Sequence, residues 1–405
     1  KNEFKAGLFT QMRDRQFTSR YFTYYGVNGI LGNPEKNLGH DNITENGVYM
    51  VEQSLAARDN YKAKANLNAA YFMLDSRFFS DFRLVYGARY ENYHQLINTA
   101  DGSSLPLIID STYTNILPSV NFTWNYTDKV NFRLSAGKTI NRPEFRELAA
   151  FPFFNFNLNS NIVGNVSLQP ATIWNYDARW EWFPKAKEVI SFGVFYKKIS
   201  NPIEMAIDVN QASIRTFGYT NQKSANNYGI EMEYRKSFDF LAKMTTLPVF
   251  NNLLFFTNIS LIKSKIEFNQ YSSALTDRPL QGQSPYVVNS GLQYNDSNGW
   301  GINFTYNRIG RRIAFVGAPK IARFGFDIFE NPRTVIDIQV SKSFKKWDYK
   351  LTVGDLLAQD LVFYQDINQN NKYDKSITSS NGDNTIFNYK MGRTITAAIA
   401  FKINN

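Results

Sequence analysis

The chain has 405 residues, 45 Lys and Arg against 35 Asp and Glu, a net charge of +10 and no cysteine. The missing cysteines exclude a disulfide framework, a thiol nucleophile and a thiolate metal site, and only two histidines, His40 and His94, exclude a histidine-rich metal centre. No run approaches the ~18 consecutive apolar residues of a membrane helix, and the basic excess lacks the Lys/Arg clusters with interleaved stacking aromatics that nucleic-acid binding uses.

Apolar and polar residues alternate in segment after segment, the mark of a strand with one oily and one wet face. In chain order the alternation predicts strands over 3–12, 61–74, 79–97, 114–126, 129–139, 173–183, 188–199, 224–238, 252–267, 285–295, 299–309, 333–344, 347–355 and 390–403. Val130, Phe132, Leu134 and Ala136 share one face, and Asn131, Arg133, Ser135 and Gly137 take the other. Ile230, Met232 and Tyr234 likewise oppose Glu231, Glu233 and Arg235, and Ile395, Ala397, Ile399, Phe401 and Ile403 oppose Thr394, Thr396 and Lys402. A dry core would not hold such charges unpaired.

The links alternate too. Short ones are expected at 75–77, 127–128, 184–187, 296–298 and 345–346, with 239–251 in the same class; long ones at 13–60, 98–113, 140–172, 200–223, 268–284, 310–332 and 356–389. This rhythm predicts an all-β fold, a transmembrane antiparallel β-barrel of about fourteen strands, with short turns periplasmic and long loops extracellular. Ten residues at ~3.3 Å each, tilted ~45°, rise roughly 23 Å, close to an apolar band of about 25 Å. Aromatics make up 16% of the chain, and Trp180 and Trp182 share a face beside a short turn, where an interface belt places them. A mean hydropathy of −0.38 fits a barrel whose lumen and loops outweigh its oily face. A β-sandwich or propeller would share the alternation but not the long–short rhythm.

Several runs make the reading specific. Leu117-Pro118-Ser119-Val120-Asn121 precedes a hairpin and then Asn141-Arg142-Pro143-Glu144-Phe145-Arg146-Glu147-Leu148. Gly164-Asn165-Val166-Ser167-Leu168-Gln169-Pro170, Asn175-Tyr176-Asp177, Phe195-Tyr196-Lys197-Lys198-Ile199-Ser200-Asn201-Pro202-Ile203, Tyr228-Gly229-Ile230-Glu231 and Arg278-Pro279-Leu280-Gln281-Gly282-Gln283-Ser284-Pro285-Tyr286 follow in order. Together they resemble the barrel of a TonB-dependent outer-membrane receptor. Val166 stands where that family often has Pro, Ala171 where it often has Glu, and Phe401-Lys402-Ile403-Asn404-Asn405 replaces a terminal aromatic.

The resemblance implies residence among the membrane lipids of a Gram-negative outer membrane. It also implies TonB-dependent active uptake of a scarce ligand through a plugged 22-strand barrel. Residues 1–405 are then expected to be the barrel region alone, with the plug domain and first strands not present in this chain. A barrel acting as a non-transporting scaffold for a surface lipoprotein or an envelope assembly is the alternative of a different class.

Four sets of residues stand out. Arg133, Arg179, Glu181, Glu231, Glu233 and Arg235, on wet faces, are the expected plug-facing lumen residues. Tyr24, Tyr25, Phe151, Phe153 and Phe154, with Tyr21, Phe22 and Phe156, form aromatic loop groups suited to a ligand vestibule or to loop-on-loop packing. Asp366, Asn368 and Asn370 place oxygen side chains at alternate positions with Asp374 four further on, resembling the start of a calcium loop. The sixth-position Gly is Asn371 and the bidentate Glu is missing, so a polar loop without metal fits the same residues; no other cofactor is indicated. Arg142, Glu144, Arg146 and Glu147 alternate in sign and are expected to pair with one another or with a plug. No Walker A, GxSxG, HExxH or CxxC run is present, and His94, near a strand end, is the one residue placed to act as a base. The chain reads as no enzyme.

Overall fold

The computed structural model describes residues 2–19, 21–26, 48–53, 60–101, 104–208, 216–268, 278–318, 325–375 and 382–403, with Asn33, Glu35, Gly39 and Asp41 as isolated positions. Fourteen strands form one antiparallel sheet in chain order. They are β1 (Asn2–Thr18), β2 (Asn60–Phe78), β3 (Phe82–Ala100), β4 (Pro106–Thr127), β5 (Val130–Asn141), β6 (Ala171–Trp182) and β7 (Val189–Ser200). There follow β8 (Ser224–Ser237), β9 (Leu253–Glu267), β10 (Tyr286–Asn295), β11 (Trp300–Ile309), β12 (Arg333–Phe344), β13 (Trp347–Gly354) and β14 (Thr394–Phe401). The edge strands β1 and β14 do not pair with one another, so the sheet is not closed.

Every expected strand is present, and three links differ. The expected long loop 98–113 is mostly strand: β3 and β4 continue into a tall hairpin, pairing Ile97 with Ile109 and Ala100 with Pro106. The turn expected at 75–77 lies at 79–81, because Asp75 stays in the ladder opposite Val85 and Phe79 takes the left-handed turn conformation at φ 54°. Link 239–251 is not an open turn but a short helix, α1 (Asp239–Thr245), and a 3-10 turn (Pro248–Asn252).

Register assigns the two faces. Residues directly opposite one another share a face. One row across the sheet reads Phe82, Trp124, Phe132, Trp180, Phe192, Met232 and Ile259. The next reads Arg83, Thr123, Arg133, Arg179, Gly193, Glu231 and Ser260. On the oily side Leu134 is 54% exposed and Met232 49%, so among the described residues no protein core covers this wall. Aromatics gather there near the short turns: Trp124 stacks between Phe82 and Phe132 at 5.8 and 5.4 Å, and Trp347 meets Phe401 at 4.8 Å.

The dry core lies at the long-link end. Segments of the long links build two four-stranded sheets, one from Pro152–Asn155, Ser160–Val163, Ile203–Ile207 and Thr216–Asn221, the other from Arg312–Phe315, Ile328–Glu330, Leu361–Gln365 and Asn384–Tyr389. A parallel bridge between Ala206 and Val316 joins them. Phe217, Phe315, Ile328 and Phe387 pack between these sheets, while Phe145, Leu148 and Phe151 pack on the upper ends of β2, β3 and β4 through Tyr61, Tyr93, Ile97 and Ile109.

Candidate functional site: a charged wall beneath folded loops

Alternation puts all six expected lumen residues on one face, and the register then brings four of them together. Arg179 bonds Glu233 at 2.7 Å and the Ser191 hydroxyl at 2.9 Å, and approaches Glu181 at 3.4 Å. Arg133 reaches the other Glu181 oxygen at 2.9 Å, a contact not aligned for a hydrogen bond. Glu231 shares the row of Arg133 and Arg179, and Arg235 lies two residues beyond Glu233 on the same face. Two concavities flank the chain of charges: one of about 280 Å³ reached by Arg133, Arg179 and Glu231, and one of about 580 Å³ reached by Glu181, Glu233 and Arg235. Gly193 leaves room for the first, since it stands between Arg179 and Glu231 without a side chain.

The Arg142–Leu148 run folds inward rather than pairing only with itself. Arg142 bonds Glu91 of β3 at 2.5 Å, where Arg89 also binds at 2.6 Å, and Arg13 of β1 bonds Glu144 at 2.8 Å. Glu144 and Glu147 form a capping box on the helical turn Phe145–Leu148, which fixes the two buried apolar side chains. Arg146 lies over Phe153 at 3.7 Å and Phe151 at 4.7 Å while donating to the carbonyls of Phe151 and Ile162. Gly164 closes the motif: an added Cβ would lie 2.2 Å from the Ala149 carbonyl oxygen.

The aromatic loop groups divide. Phe151 is wholly buried against Phe17 and Tyr61, so it belongs to the core and not to a vestibule. Phe153 and Phe154 are half-buried, Phe154 meeting the exposed Phe156 edge-on at 5.3 Å. Tyr25 is exposed on a hairpin of Tyr21–Gly26 with Val48–Gln53, where Tyr24 pairs with Met50; the side chains of Tyr21, Phe22 and Tyr24 lie outside the described residues.

The Asp366–Asp374 oxygens point to protein donors. Asp366 accepts from Arg311 at 2.7 Å and from the amides of Asn370 and Asn371. Asn368 and Asn370 accept from the amides of Asn370 and Lys372, and both donate to Asp374. Among the described residues no group of three or more His, Asp or Glu is placed to hold a metal ion. Arg311, pinned over the Phe329 ring at 3.5 Å, takes one oxygen of the carboxylate that would lead a calcium loop. His94 contacts the Asp110 carboxylate at 2.7 Å on the tall hairpin.

One pair escaped the sequence reading. Arg278 and Glu204, 5% and 0% exposed, join two loops through bonds of 2.9 and 2.6 Å, and the Gln281 amide donates to the same carboxylate at 2.9 Å. Gln281 in turn accepts from the Met205 amide and donates to the Ala314 carbonyl. The signal was a lone acid in the apolar run Ile203-Glu204-Met205, 74 residues from its partner. Beside it, burial lifts the Asp327 carboxyl above its ordinary range, against one bond from the Gly317 amide.

The family described as "TonB dependent receptor-like, beta-barrel" matches residues 2–356. No curated protein matches in sequence. Among solved structures the sheet resembles the ferric-catecholate import receptor Fiu of E. coli K12, with 14% identity and a TM-score of 0.58 over 86% of this chain and 46% of that one. It also resembles the siderophore receptor PiuA of Acinetobacter baumannii, with 9% identity and a TM-score of 0.63 over 99% and 53%. The ferric yersiniabactin uptake receptor FyuA of Yersinia pestis gives 13% and 0.54 over 84% and 46%. At such identities the likeness is one of fold, and the chain spans about half the length of the receptors it matches.

Proposed function

This chain belongs to the TonB-dependent receptor-like β-barrel family of the outer membrane, and from that premise we propose that it forms wall and loops of an active-transport receptor. Further strands complete the sheet beyond β1 and β14, because an unpaired backbone edge is costly in hydrocarbon. A plug domain outside this chain sits against the charged face and carries the pull of TonB. The long links face outwards and meet a scarce ligand too large for a passive pore; a ferric siderophore, the cargo class of solved neighbours, is the first to try. Short turns face the periplasm.

The observation that carries this reading is the state of the wet face. Arg133 and Arg179 hold their acidic partners yet keep 53% and 40% of their side chains exposed. Such pairs exchange partners at little cost, as a wall must if it holds a plug that moves. The test is uptake of labelled ferric siderophores by cells in which the intact protein is the sole receptor. Accumulation should stop when TonB is deleted while binding at the surface persists. Accumulation that continues without TonB overturns the proposal.

A further inference from the structure

The link between β8 and β9 is unlike the other short turns. Phe240 and Met244 lie one helical turn apart on α1, followed by Leu247 and Val249, and these four are 40%, 76%, 53% and 47% exposed. No residue of α1 or of the following 3-10 turn is buried. Phe240 lies toward the oily wall rather than the lumen: Lys236, which pairs with Phe255 in the oily register, carries its ammonium 5.8 Å from the Phe240 ring. On the same rim and face, Lys342 lies over Trp300 at 4.7 Å and Lys345 over Phe344 at 5.4 Å.

The charge balance is cationic. Lys185 and Lys236 neutralise Asp239 and Glu188 at 2.9 and 3.0 Å, which leaves Lys187 and Lys243 in excess. Exposed apolar groups with lysines at their border, continuous with a lipid-covered wall, match the boundary between acyl chains and phosphate headgroups.

We infer that residues 238–252 form an interfacial foot, with Phe240, Met244, Leu247 and Val249 inserted beside the acyl chains and the lysines against lipid phosphate, in the leaflet at the short-turn rim. The inference rests on the reading of the oily face as lipid-covered. It adds a second, in-plane membrane contact to the spanning sheet, one that fixes the height and tilt of this rim.

The chain has no cysteine, so an engineered thiol is unique within it, and any cysteine elsewhere in the intact protein is first replaced by serine. In the intact protein, reconstituted into vesicles of phosphatidylethanolamine and phosphatidylglycerol, a fluorophore is attached at Met244→Cys, at Val194→Cys on the oily wall, and at Ser297→Cys in a neighbouring short turn. Nitroxide-labelled lipid should quench the fluorophore at 244 as it does at 194, severalfold more than at 297, and iodide should show the reverse order. If 244 instead follows 297, the foot is overturned while the wall stands. If 244 is shielded from both quenchers, a protein covers it and the lipid assignment is overturned. If 194 itself escapes the lipid quencher, the wall reading fails, and the foot with it.

Discussion

Arg133 and Leu134 are adjacent on β5, are comparably uncovered at 53% and 54%, and face opposite sides of the sheet. If hydrocarbon covers the Leu134 side, Leu134→Arg costs about 2–4 kcal/mol near the bilayer midplane. That is roughly a 30- to 900-fold loss in the folding equilibrium at 1.36 kcal/mol per decade. Arg133→Leu gives up one 2.9 Å contact to Glu181, which keeps Arg179 at 3.4 Å. Its half-exposed position limits that cost to about 1 kcal/mol or less, no more than roughly fivefold. Denaturant titration of the intact protein in phospholipid vesicles, followed by tryptophan fluorescence and by the heat-dependent mobility of the folded form on gels, measures both. The expected ratio is at least about fivefold. Equal costs, or a greater cost at 133, would mean that water or protein lies against the oily face, and the membrane assignment of the sheet would be lost.

Three further outcomes follow from the loops. Gly164→Ala should cost about 1–3 kcal/mol of overpacking, because the new Cβ would meet the Ala149 carbonyl; faster hydrogen exchange at Leu148 and Ala149 but not in β7 reads it. Glu204→Leu leaves the buried Arg278 guanidinium without its carboxylate, a loss of about 3–5 kcal/mol, most of which the Glu204→Leu/Arg278→Met pair should restore. Exchange of the Ile207 and Val316 amides, which bond across the two loop sheets, separates these cases, and a single variant no worse than the double rules the pair out as the tie. Burial raises the Asp327 carboxyl in the folded loops, so the native state binds more protons than the unfolded one. Loop stability is therefore greatest below the unfolded value and falls as pH rises through the folded one. Asp327→Asn should flatten that dependence of loop exchange on pH, and an unchanged profile assigns it to another group.

The wall was legible because each strand meets two unlike surroundings, and a period of two records both. Leu134 beside Arg133 is that record in two residues. Turn register was less legible: Asp75-Ser76-Arg77 has turn composition, but Arg83 holds Asp75 in the ladder at 2.6 Å, a contact local sequence does not show. The tall hairpin was missed because Asn98, Thr99 and Asp110 blur the alternation that Ile97 and Ile109 would otherwise carry. The loops were least legible. Arg13 and Glu144 are 131 residues apart, and Glu204 and Arg278 belong to different links. Such pairs form only after the wall has set the loop ends side by side.

Under the proposed function, ion pairs at different depths tell which contacts would give way. Opening the loop sheets means parting Glu204 from Arg278 where neither meets water, so each charge would stand unpaired in a medium that penalises it. The turn at Phe145–Leu148 is held by a capping box and by two wall strands through Glu91 and Arg13. The Arg133–Glu181–Arg179–Glu233 chain has the opposite property: its arginines are open to solvent and to new partners, so exchanging one carboxylate for another is nearly neutral. A cycle of capture and release costs least when the loops stay assembled and the contacts that break are those on the charged wall. Transport should therefore tolerate substitutions that tighten the loops, such as Asp327→Asn, and respond to those that change the sign of the wall, such as Arg179→Glu. Lost uptake in Asp327→Asn with surface binding intact would move the gate to the loops.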